Sequence, residues 1–160
     1  MREDLIPTGI LLKELNCSSV ESLSDRIVLQ KKIFLTQYLG LKLGYAYGWY
    51  LHGPYCTDLA SRAYEIERVG VDDLPSYRLP QRIRTLVDVV NGLESNPELQ
   101  AYKLSERYEL LASVAYWRNK GFANNEIAEK ITFYKPQFSV EDVFVGLRCV
   151  ESLDVYRLTA

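Results

Sequence analysis

Along residues 25–39 the apolar positions Ile27, Val28, Leu29, Ile33, Phe34, Leu35, Tyr38 and Leu39 surround most of a helical circumference instead of forming one stripe. A helix patterned in this way is buried on nearly all sides. Ser24 stands where a cap residue would accept from the first free amides. A second all-round apolar helix is predicted over Glu106 to Lys120, through Leu110, Leu111, Val114, Ala115 and Trp117, with Gly121 as its stop. These two helices are expected to be the interior struts of the core.

One-sided patterns predict the helices around them. A short one covers Leu5 to Leu15, with Pro7 confined to its first turn because proline lacks the amide donor an interior turn needs. Leu59, Ala60, Ala63, Ile66 and Val69 have helical spacing and end at Gly70; Ile83, Leu86, Val87 and Val90 form one face after Pro80, stopping near Gly92. "SNPEL" reads as a helix start, with Asn96 as cap and Pro97 first. Asn124 can cap a short helix through Ile131. In the last helix Ser139 and Asp142 approximate a capping box, and Val140, Val143, Phe144, Leu147 and Val150 continue one face.

The segment "YAYGWYL", residues 45–51, is too short and too rich in tyrosine for a comfortable helix and reads as a strand. A lone strand leaves its backbone unpaired, so it needs a partner, for which Ser76–Leu79 and Val155–Leu158 are the extended candidates. No repeat or low-complexity linker divides the chain. The expected fold is mainly α: a single compact multi-helix domain over residues 1–160 with a small β element. It is winged-helix-like in part, around helices 25–39 and 57–69 with residues 45–51 near the wing position.

Composition narrows the functional classes. The 160 residues are 48% apolar and 25% charged, an ordinary globular balance. A net charge of −2 argues against bulk attraction to nucleic acid or anionic lipid, so such a partner must meet a local basic patch. No apolar run is long enough to span a membrane and Met-Arg-Glu-Asp opens no signal peptide, which predicts a cytoplasmic protein without a membrane partner. Cys17, Cys56 and Cys149 are odd in number and widely spaced, and His52 is the single histidine. That set predicts reduced thiols, no protein-held metal and no cofactor.

Candidate chemistry centres on "GWYLHGPYCTDL", residues 48–59. As punctuation, His52, Gly53 and Pro54 turn the chain from strand into helix, with Cys56 or Thr57 at the helix start. As a ligand corner, the helix N-terminus suits an anion, and Tyr50, His52 and Tyr55 can stack on a base or donate to a phosphate. As a thiol site, Cys56 would be the nucleophile and His52 its base, although no third orienting group is evident. Basic candidates are Lys31 and Lys32 in "LQKKIF", Arg62, and Arg78, Arg82 and Arg84 in "YRLPQRIR". If they share a face they form a phosphate-sized patch; otherwise they are a solvated surface. "NNEIAEKI" resembles the first helix of a helix-turn-helix. The connection "TFYKPQF" is too long for that motif, and Glu141 and Asp142 open the helix that would read the groove.

The stretch "LQKKIFLTQYLGLKLGYAYGWYLHGPYCTDLA" resembles the YwgA-like group of uncharacterised bacterial and archaeal proteins, through a Lys/Gln-rich helix, a Leu-Gly-Tyr step, an aromatic strand and a Gly-Pro-Tyr corner. "YELLASVAYW" and "KPQFSVEDV" are similar to later segments of that group, so the likeness spans roughly residues 25–153. It implies a helical fold with a winged-helix-like part and brings no enzymatic activity. Cys56 stands where the group has serine, an ordinary cap residue. The functional expectation is a non-enzymatic regulatory or adaptor domain binding another protein or nucleic acid, with homodimerisation compatible with its many tyrosines. The alternative is a small enzyme acting on a nucleotide or nucleic acid at the His52–Cys56 corner.

Overall fold

A computed structural model describes residues 1–74 and 77–158. Among them are seven α-helices and one two-stranded sheet, so the fold is mainly α with a small β element. The order is α1 (Ile6–Glu14), α2 (Leu23–Tyr38), β1 (Gly48–Tyr50), β2 (Gly53–Tyr55), α3 (Thr57–Val69), α4 (Gln81–Gly92), α5 (Leu104–Asn119), α6 (Asn124–Tyr134) and α7 (Val140–Ser152).

The two all-round apolar segments are the struts. From Val28 to Leu35, α2 is buried without interruption, as is α5 from Tyr108 to Ala115. They pack on each other, α7 packs on α5 and α6, and one hydrophobic core takes residues from every α-helix. Gly146 lets α7 approach closely, because a Cβ there would lie 3.3 Å from Val114 Cγ2 and 3.4 Å from Leu110 Cγ.

Local chemistry sets the ends, not always where the pattern placed them. The cap of α2 lies two residues before the expected one: Ser22 Oγ accepts from Asp25 N at 3.0 Å and Asp25 Oδ2 accepts from Ser22 N at 3.4 Å. Ser22 wins over Ser24 because a carboxylate lies three residues beyond it, which closes a reciprocal box. The same box forms at α7 between Ser139 and Asp142, as expected. Helix α6 includes Asn124, and its amide end is met by Glu126, which accepts from Ala123 N at 3.1 Å. "SNPEL" yields only a 3₁₀ turn, Pro97–Leu99. Asn96 Oδ1 does accept from Glu98 N, but Leu99 is the turn's single buried residue and no second apolar position extends its face.

The strand's partner is the main correction. β1 pairs with neither expected segment but with β2, antiparallel, in the register Gly48↔Tyr55, Trp49↔Pro54 and Tyr50↔Gly53. Residues 77–79 are irregular, Ser76 lies outside the described residues, and Val155 and Tyr156 belong to a 3₁₀ turn. The Gly-Pro step read as a turn into a helix is itself the returning strand, and Leu51 and His52 form a two-residue hairpin loop. The part of the chain expected to be winged-helix-like is therefore a helix, hairpin, helix succession, in which α2 is buried from Val28 to Leu35.

Candidate functional site

Helix α2 builds the corner from inside. Gln30 clamps the backbone of Cys56 from both sides: its Oε1 accepts from Cys56 N and its Nε2 donates to Cys56 O, each at 2.9 Å. Lys31 Nζ donates to Pro54 O at 2.9 Å, and Tyr47 OH donates to Gln30 O at 3.1 Å. Lys32 points elsewhere, donating to Leu15 O at 2.6 Å and Asn91 Oδ1 at 3.0 Å, so its ammonium closes the C-terminal end of α1. Lys31 and Lys32 are 1% and 2% exposed, which corrects their reading as a surface pair: both are buried cations consumed by backbone carbonyls.

Behind the hairpin loop lies a buried charge cluster. Glu109, in the middle of α5, holds Lys135 Nζ at 2.6 Å from its Oε1, and Lys135 also donates to Leu51 O at 2.9 Å. His52 Nδ1 faces the same Glu109 oxygen at 3.5 Å. Burial pushes the Lys31 ammonium down to about 7, with Glu109 acting upward against it and Lys135 adding to the fall. Two buried ammonium groups thus share one buried carboxylate.

A cavity of about 300 Å³ opens beside this cluster. Its walls include Val20, Leu23, Ile27, Ala60, Ala63 and Tyr64, and four expected residues, Lys31, Tyr50, His52 and Tyr55, line it as well. The other three do not. Lys32 is at the far end of α1. Arg62 is held by Asp58 at 3.4 Å and by Asp4 at 3.9 Å, and Arg82 is exposed on the first turn of α4. Arg84, grouped with Arg82 by sequence, pairs with Glu14 at 2.7 Å and Asp88 at 3.7 Å. The basic residues therefore form no single face.

Cys56 is buried, and its Sγ accepts from Leu59 N at 3.5 Å as the cap of α3. His52 turns to Glu109, so the pairing a thiol nucleophile requires is not made. Glu109 and Lys135 went unread in the sequence. The signal for Glu109 was a carboxylate inside the all-round apolar run "YELLASVAYW", a position that demands a buried partner.

Lys31 makes stability depend on pH in a definite sense. An unfolded lysine keeps its proton to about pH 10.4, whereas the folded one releases it near 7. Between those limits the unfolded chain binds more protons, so stability rises with pH by up to about 1.4 kcal/mol per unit. Lys32, also lowered by burial, adds in the same direction. Above about pH 9 the buried Cys17 thiol, pushed up to about 12, opposes this, because it ionises first in the unfolded chain. Urea titrations at pH 7, 8 and 9 are expected to show increasing unfolding free energy, and Lys31→Met to flatten the increase.

No family model matches the chain, and neither a curated protein nor a solved structure matches it. No helix among the described residues is long and apolar enough to cross a membrane.

Proposed function

We propose that this chain is a non-enzymatic adaptor or regulatory domain that engages a protein partner at the hairpin face. The observation that carries this reading is the apolar rim of the cavity. Leu51 at the hairpin tip is 84% exposed, and Tyr50, Tyr64 and Leu23 are exposed around the same opening. Large apolar and tyrosine side chains around a pocket are what the core of a protein interface uses. A protein is favoured over nucleic acid because the candidate lysines Lys31 and Lys32 are buried and Arg62 is neutralised by Asp4 and Asp58. The YwgA-like resemblance belongs to the same proposal: Lys31 and Pro54, which help carry it, bond to one another, and Gln30 holds the backbone of Cys56, the position where the chain departs from the group.

Leu51→Asp is the test, since this side chain is held by little and its replacement leaves the core intact. The expected result is a partner captured from the native host by the wild-type chain and lost with Leu51→Asp, at an unchanged melting temperature. Capture that survives the substitution, or that yields nucleic acid released by salt, would count against this reading. Sedimentation of both forms tests whether the partner is a second copy of the chain.

A further inference from the structure

We propose that the cavity between α2, the hairpin and α3 is a binding site for a small apolar carboxylate, with the Lys31 ammonium as its counter-ion. The inference is independent of protein docking at the rim, because it concerns what enters the cavity of the isolated chain.

Charge is the first ground. Three basic side chains, Arg26, Lys31 and His52, line the cavity, and no acidic residue stands among its described lining. Of these, Arg26 spends its Nη1 on two backbone carbonyls, Val20 O at 2.9 Å and Glu21 O at 3.2 Å. The carboxylate acting on Lys31, Glu109, bonds Lys135 directly at 2.6 Å and faces His52, and Glu67 accepts from the amide of the lining residue Val20 at 3.3 Å. Lys31 has three donors and a single recorded acceptor, Pro54 O, which is neutral. Glu109 acts on Lys31 while it also holds Lys135, so two buried lysines draw on one carboxylate, and an entering anion supplies a second negative charge.

Shape is the second ground. Apart from Gln30, whose amide is spent on Cys56, the remaining wall is aliphatic and aromatic, which suits a hydrocarbon chain and no second charge. Lys31 is 1% exposed while still contributing to that wall, so only a ligand inside the cavity, and not one seated on its rim, comes against this side chain. The charged groups acting on Lys31 are Glu109 from α5 and Lys135 after α6, and His52, Arg26, Tyr50, Tyr55 and Tyr64 are the other titratable residues of the cavity wall. With its affinity for protons near neutrality, Lys31 takes one up when the anion arrives.

Calorimetric titration of the full chain with octanoate, 1-octanol and octylammonium tests the assignment. Octanoate is expected to bind about tenfold or more tightly than 1-octanol, octylammonium not to bind, and Lys31→Met to bring octanoate to the level of the alcohol. Equal affinity for octanoate and 1-octanol, or no octanoate binding, would overturn the site. If Lys31→Met does not fold, wild-type titrations at pH 7.5 in two buffers of different ionisation enthalpy decide: proton uptake with octanoate supports Lys31 as counter-ion, and its absence refutes it. Octanoate binding is read on the isolated wild-type chain with no partner present, whereas partner capture is read from the native host, so the two readings fail separately.

Discussion

Glu109→Ala is expected to lower the free energy of unfolding by about 3–5 kcal/mol, the range for breaking a buried ion pair from one side. The Glu109 side chain is 5% exposed, and its Oε1 is the acceptor for Lys135 Nζ. It is also the nearest opposite charge acting on Lys31. Truncation leaves two ammonium groups in the interior without a counter-charge and loosens Lys135, which ties α6 to the hairpin through Leu51 O. Urea unfolding at pH 7 reads the loss. The loss is expected to shrink as pH rises toward 9, since Lys31, whose hold on its proton burial weakens, is then neutral in the folded chain and still charged in the unfolded one. A variant as stable as the wild type at pH 7 would show that the cluster is hydrated and its charges are met by water.

Gly53→Ala is the second large effect. Gly53 has φ +91°, a conformation that costs an L-residue about 1–2 kcal/mol. A Cβ there would stand 2.6 Å from Ser113 Oγ on the buried face of α5, and such overpacking adds about 1–3 kcal/mol. Ser113 Cβ lies 3.9 Å from the same point, at ordinary contact distance. The double variant Gly53→Ala with Ser113→Ala is therefore expected to recover the overlap part and retain the backbone part. Additive losses in that cycle would locate the whole penalty in the backbone.

The candidate site was only half legible before folding. Tyr50, His52 and Tyr55 were singled out together, and they do share a cavity, because a short hairpin keeps neighbours in sequence close in space. Lys31 joins them for a different reason than the one expected: its ammonium is drawn inward by Pro54 O. Glycine and proline at 53 and 54 read as punctuation, yet Pro54 fits a two-stranded ribbon because neither strand is central and a missing amide there breaks no ladder on a far side.

Sequence pattern marked the seven α-helices, the two interior struts and the cap at Ser139, because those depend on residues within four positions of each other; it left the start of α3 between Cys56 and Thr57 and read a helix where Pro97–Leu99 is only a 3₁₀ turn. Only the tertiary structure decided which polar residues are interior. The acceptors of Lys31 and Lys32, and the carboxylate that balances Lys135, come from segments 17 to 59 positions away. A charged side chain in an apolar helix is a surface residue or a buried one according to whether a distant carbonyl or carboxylate meets it, and packing alone brings that partner near.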